Sequence, residues 1–283
     1  MKSESYLNSL RRDKRAISPA ISTTIITSAI VVMLLVTVVF ANNYLNARMA
    51  ENEFGAMKQF MQTAGLQIDD VTWTVGRTQT FRYTTQFGQL SFKSVALNYA
   101  VYVNDTDIWV ANFSTGVLMF DMPTSEYNIA NGYRELLFPS SDTSFMQEGT
   151  SAPVTHVFVI ERVPMNDTNS IRVVVAPSIR MLNSTISASG TTTGYYNCYL
   201  PVLQQGTNLY LSQSVTLAAT SVNVQTIQNI DKIKITLDFP KANLGFDSPF
   251  FNFNSTMQEA NVPQGSILEF YTGNVTVSLG LYG

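Results

Sequence analysis

The residues able to do chemistry are few and scattered. His156 is the only histidine of the 283-residue chain and stands in the strand-like stretch THVFVI. Alone it cannot supply the His/Cys cluster that zinc requires, and no acids repeat around it at ligand spacing. A Ser-His-Asp triad would have to use the same histidine, yet no G-x-S-x-G elbow offers a serine nucleophile. Cys198, the only cysteine, rules out an intrachain disulfide and reads as a buried apolar side chain. The acid pairs Asp69–Asp70 and Glu161 with Asp167 read as solvated turns and edges, not as acid–base machinery. Neither a glycine-rich phosphate loop nor a calcium loop occurs. The expectation is a protein that is not an enzyme, with no catalytic residue, no metal and no cofactor.

Two kinds of residue remain as candidates for surface chemistry. Asn-x-Ser/Thr acceptors begin at Asn104, Asn112, Asn166, Asn183, Asn254 and Asn274, none of them in or before the apolar stretch described next; they are candidate N-glycosylation sites of an exterior domain. Trp73 and Trp109 are the two tryptophans, candidates for a binding face or for packing.

Everything else is organised by an uncharged run from 16 to 46 that contains ISPAISTTIITSAIVVMLLVTVVF. Its apolar part exceeds the roughly 7–15 residues of a secretory signal core and suffices to cross a bilayer core of roughly 30 Å at 1.5 Å per residue. Ser18 can cap a helix whose first turn holds Pro19. Ile25, Ile26, Ile30, Leu34, Leu35, Val38 and Phe40 supply the membrane or assembly surface. Lys2, Arg11, Arg12, Lys14 and Arg15 precede the run, so the amino-terminal side is expected in the cytoplasm and the large domain outside, as a single-pass membrane protein. Five of the 17 basic and two of the 20 acidic residues lie in that leader, which leaves the rest at about −6 and argues against nucleic acid as a partner.

Past the membrane the helix turns amphipathic. Leu45, Met49, Met57, Phe60, Met61 and Ala64 recur at helical spacing, and Gly65 marks its expected end. That stripe requires a cover, either the chain's own β domain or the same helix in a neighbour. From 71 onward the period is two. Short strands are expected at 71–75 and 80–84 around a hairpin at Gly76-Arg77, then at 89–103, 108–113, 116–122, 133–138, 154–163 and 171–176. The stretch 184–194 reads as a polar loop, and strands follow at 195–203, 208–219, 222–227, 230–239 and 267–281, the last as one long strand or a hairpin bent at Gly273-Asn274. Ile233, Ile235, Leu237 and Phe239 alternate with Lys234, Thr236 and Asp238, the signature of a half-wet antiparallel sheet. The fold class is therefore mainly β: a long transmembrane and amphipathic α-helix followed by an antiparallel β-sandwich-like extracellular domain. In domains, 1–16 is a basic cytoplasmic leader, 17–66 the helix and 67–283 the β-rich part, with a candidate division at 139–153.

The segment KRAISPAI before the long apolar helix resembles the amino terminus of archaeal type IV pilins and pilin-like proteins. FANNYLNARMAENEF running into GLQIDDVTW also looks like archaeal membrane proteins sharing that start, so the resemblance covers about residues 11–75. It implies a class III signal peptide cut by a prepilin peptidase between Ala16 and Ile17, next to Arg15, and helices that pack together in a filament core with β domains outside. The glutamate that many type IV pilins carry at the fifth mature position is replaced here by Ile21. The function so implied is a structural subunit of a surface filament or of a secretion or adhesion assembly, with other pilin-like subunits, the peptidase and membrane lipid as partners. The alternative is a single-pass anchored protein whose exterior domain binds a ligand and does not polymerise.

Overall fold

The computed structural model describes residues 18–166, 168–188, 191–208 and 213–280. They divide into two compact units, the first ending at Met49 and the second running from Ala50 onward.

One helix, α1 (Ser18–Thr72), spans the boundary in sequence. In the second unit its buried hydrophobic residues are Ala50, Phe54, Met57, Met61, Ala64, Ile68 and Val71, spaced alternately four and three apart, so that one face of the helix stays apolar for six turns. Gly65 does not end the helix as expected. A Cβ there would come within 2.7 Å of Val157 Cγ2, and the Thr155 hydroxyl donates to the Gly65 carbonyl at 3.1 Å; the glycine lets helix and strand approach closely. The expected strand 71–75 is overturned for the same reason: Val71 completes the buried stripe in a helix that runs to Thr72, and the chain then turns through Gly76, whose φ is +83°. No hairpin forms at Gly76-Arg77.

The strands are β1 (Thr78–Arg82), β2 (Gln89–Val103), β3 (Ile108–Pro123), β4 (Arg134–Phe138), β5 (Met146–Glu148), β6 (Thr155–Arg162), β7 (Ser170–Pro177), β8 (Ile179–Ala188), β9 (Thr191–Asn208), β10 (Ser214–Asp238) and β11 (Met257–Leu279). They join in the order β4-β6-β7-β3-β2-β10-β11-β9-β8-β5, with β1 also on β10. This is the expected mainly β, sandwich-like domain behind one long helix. Its pairings are antiparallel except β9 with β11 and β5 with β8, which are parallel. Strands on both sides of 139–153 belong to this one sheet.

Three readings of the sequence change. Residues 184–188 and 191–194 are not a loop but paired strand, β8 with β9 from Arg180–Tyr199 out to Ala188–Thr191; Ser and Thr suit a solvated strand pair as well as a loop. The expected strands at 222–227 and 230–239 are one, β10, whose bulges at 220, 229 and 231 interrupt the period without ending the strand. The last strand begins at Met257, ten residues before the expected start, and runs through Gly273 without a break.

Two cores lie on opposite faces of the sheet. The stripe of α1 packs with Leu118, Phe120, Val157, Val159, Val173, Val175, Leu217 and Val275. The other core gathers Tyr99, Phe158, Ile160, Val174, Cys198, Ile233, Ile235 and Phe270 with a cap of Phe246, Phe250, Phe251 and Phe253. β6 and β7 therefore feed alternate residues to both cores and are buried along almost their whole length, which is why VFVI and VVVA read as unbroken apolar runs. At the cap, α2 (Ser248–Phe251) starts on Asp247, whose carboxylate accepts from Phe250 N at 2.9 Å and from Arg162 at 2.5 and 3.1 Å.

Two carboxylates pin loops to this frame. Glu53 on α1 accepts from the backbone N–H groups of Gln86, Phe87 and Gly88 at 2.7–3.1 Å. Glu161 accepts from Ile129 and Ala130 N–H. Arg172 is fully buried; its Nε donates to Asp121 at 2.7 Å, and its other nitrogens reach Met165 Sδ and Thr168.

Candidate membrane and assembly surface

In the first unit every residue from Ile21 to Met49 is exposed. Ile25, Ile26, Ile30, Leu34, Leu35, Val38 and Phe40 are each more than half exposed, so nothing among the described residues covers this surface. Three hydroxyls inside it are satisfied within the helix: Ser28 donates to Thr24 O at 2.8 Å, Thr37 to Met33 O at 2.7 Å, and Thr27 to Thr23 O. Hydroxyls that close on the helix's own carbonyls are suited to a medium without water. At its far end the Arg48 guanidinium lies 5.4 Å from the Tyr44 ring centre, an aromatic and a cation where an apolar span meets water. The length and composition are those of a membrane-spanning helix.

The residues expected to pack on this helix separate into two groups. Met57 and Met61 are buried and Phe60 is half-buried in the second unit, against the domain's own strands. Leu45 and Met49 are exposed. The sequence reading missed Ala50, Phe54, Ile68 and Val71, although their heptad spacing was the available signal. Arg15, Ala16 and Ile17 lie outside the described residues.

The six glycosylation candidates are not equivalent. Asn112 and Asn254 are exposed, with no protein acceptor for the amide nitrogen among the described residues. The amide nitrogens of Asn166, Asn183 and Asn274 already donate to Asn243 O, Glu148 and Ser221 Oγ. Asn104, at φ +63°, uses its side-chain oxygen to accept from Asp231 N.

Trp73 is half-buried: its indole N–H donates to Asp69 at 2.7 Å and its ring meets Tyr199 edge-on at 5.2 Å. Asp69 also takes a two-pronged bond from Arg180. Trp109 is 61% exposed; it lies opposite Tyr102, which lies opposite Lys234 and then Glu259 in one row across four strands.

His156 is 2% exposed and its Nε2 has no partner. Burial pushes its pKa down to about 4. The neutral ring is thus favoured in the fold, so stability is full above the unfolded value of roughly 6.5 and falls as pH drops toward the folded value. Acidification from about pH 7 to about pH 5 is expected to remove about 2 kcal/mol of domain stability through this group. His156→Phe should flatten that slope in urea titrations at the two pH values; an unchanged slope would show that other groups carry it.

Burial likewise raises the Cys198 thiol to about 12, which keeps it unreactive. Glu161, read from sequence as solvated, is 3% exposed and held by loop amides; Asp167 lies outside the described residues. The cavity beside His156, lined in part by Arg134, Thr143 and Asn252, measures about 20 Å³, too small for an organic ligand. A groove of about 460 Å³ near Phe87, Asp121 and Asn169 contains one carboxylate among the described residues, already committed to Arg172 and Ser91. Among the described residues no three His, Cys, Asp or Glu side chains gather as metal ligands.

No family model, curated protein or solved structure matches the chain. The architecture by itself is that of a single-pass membrane protein: one long leading apolar helix followed by a mixed β-sheet domain.

Proposed function

We propose that the chain is a pilin-like structural subunit of an archaeal surface filament, or of a secretion or adhesion assembly built in the same way. The observation that supports this reading is the helix surface from Ile21 to Met49, apolar over most of its length and exposed on all sides, while the amphipathic half beyond it is already covered by its own domain. Such a surface is stable in lipid or among copies of itself, and leaving the membrane exchanges the first environment for the second. In this reading the amino terminus is cytoplasmic, the β domain is extracellular, and prepilin peptidase cuts between Ala16 and Ile17. Mass spectrometry of the amino-terminal peptide tests it. Mature chains that begin at Ile17 in a sheared surface fraction are the expected result. Chains that keep residues 11–16 and occur only in membrane would overturn it.

A second reading has its own observation, the row in which exposed Trp109 is followed by half-buried Tyr102 and Lys234. An aromatic pair beside a cation is suited to binding a glycan or a protein surface, and an anchored, non-polymerising receptor would use it. Trp109→Ala should then abolish surface binding and leave the membrane anchoring unaffected.

A further inference from the structure

β10 has an open edge in its middle. One side pairs with β11 along nearly its whole length. On the other side β1 occupies 214–218 and β2 occupies 233–238. These partners are closed off where Gly76 N donates to Ala219 O at 3.0 Å and Asn104 N to Lys232 O at 2.9 Å. Between the closures, over 220–229, no strand among the described residues pairs with this edge, and Asn223, Val224, Gln225 and Thr226 are exposed. Unpaired N–H and C=O groups in such a row are a template for another strand.

A second edge is open on β8. β5 covers it only at Ile179, Arg180 and Met181. Ile179 N donates outward to Phe145 O, and Met181 O accepts from Gly149 N. Odd-numbered residues therefore turn their backbone to this edge, and Asn183 and Thr185 continue the row with no strand beside them.

Both edges bound the same four-stranded patch. Gln228, Ile267, Tyr195 and Ser184 form one row across it, and Thr226, Glu269, Asn197 and Leu182 the next. The pairings make β8 and β10 run in the same direction. Residues 181–230 contain no acidic, basic or histidine side chain, so neither edge has the charges that usually prevent strand addition. Each edge also exposes one β-branched aliphatic on the same face, Val224 at 48% and Ile186 at 54%.

We propose that β8 of one copy pairs in parallel with the open edge of β10 in a second copy, continuing the sheet from subunit to subunit. A second copy fits because each edge offers the other the matching strand direction, the same lack of charge and an apolar neighbour. Two different edges make the contact heterologous, so it propagates rather than closing as a pair. The inference rests on the reading of the chain as a self-associating subunit but uses none of the helix surface.

The test uses two tagged forms of the full chain coexpressed in one membrane. One carries Ser184→Cys. The other carries Val224→Cys, Thr226→Cys or Gln228→Cys in turn, so that neighbouring registers are covered. Cys198 is fully buried and stays as it is. Mild oxidation of the membranes should give a covalent dimer with one tag of each kind for at least one of the three, none from either form alone, and about tenfold less when Thr185→Lys is added to β8. No mixed dimer in any register, while untouched tagged copies still co-purify, overturns the edge pairing and leaves self-association standing. Failure of the untouched copies to co-purify overturns both.

Discussion

Replacing Asp121 with alanine is expected to destabilise the β domain by about 3–5 kcal/mol, because it takes a hydrogen-bonded carboxylate away from a buried cation. Arg172 is fully buried and Asp121 is 7% exposed. The guanidinium also reaches the neutral Thr168 carbonyl and hydroxyl and the Met165 sulfur. None of these can replace a carboxylate 2.7 Å away at a site water does not reach. Asp121→Asn keeps an acceptor and should cost less. The double change Asp121→Leu with Arg172→Met removes both charges and should recover much of the loss, since apolar replacements of buried ion pairs are often neutral or better. Urea denaturation of the full chain in detergent measures all three; a loss below about 1 kcal/mol for the alanine variant would mean that other groups compensate the Arg172 charge.

This pair was within reach of the sequence. In SIRVVVAP the period of two puts Arg172 on the same face as Val174 and Ala176, and in VLMFDMP Asp121 is the only charge of an apolar strand. Two lone charges of opposite sign on otherwise dry strands are a signal for mutual burial. What the sequence could not supply is that the two strands are neighbours, Asp121 directly opposite Arg172.

Elsewhere, legibility followed how local the governing physics is. The membrane helix and the alternation from Ile233 to Phe239 depend on composition and period within one segment, and both stand in the structure. The end of α1 depends on a distant strand: Gly65 resembles a stop until Val157 and Thr155 are placed against it. Val71 to Trp73 resembles a strand because valine and threonine favour strands, but burial of Val71 against the sheet overrides propensity. The stripe itself was misjudged because Leu45 and Met49 look like its start, whereas the covered face begins at Ala50 and Phe54. The open edges of β8 and β10 could not be read at all, since an unpaired edge is a property of topology and not of any one strand.

Introducing arginine at Leu34 is expected to weaken membrane insertion by about 3 kcal/mol, the cost of a cation near the centre of a spanning helix. The Ile, Leu, Val and Phe side chains between Ile21 and Phe40 contribute only about −4 to −7 kcal/mol on the same scale, and the serine and threonine hydroxyls subtract from that. One arginine should therefore leave the segment marginal, and a second, Val38→Arg, should exclude it. Both positions are exposed in the structure, Leu34 at 60% and Val38 at 55%, so neither change removes a contact within the chain. The domain from Ala50 onward should keep its urea midpoint while the protein moves from the carbonate-resistant membrane fraction to the extractable one. That separation distinguishes an anchor from a structural helix. If the doubly substituted chain stays resistant to extraction, the segment is not what holds the protein in the bilayer. If it leaves the membrane but the domain also loses its cooperative unfolding, then the first half of α1 supports the fold as well as the anchor.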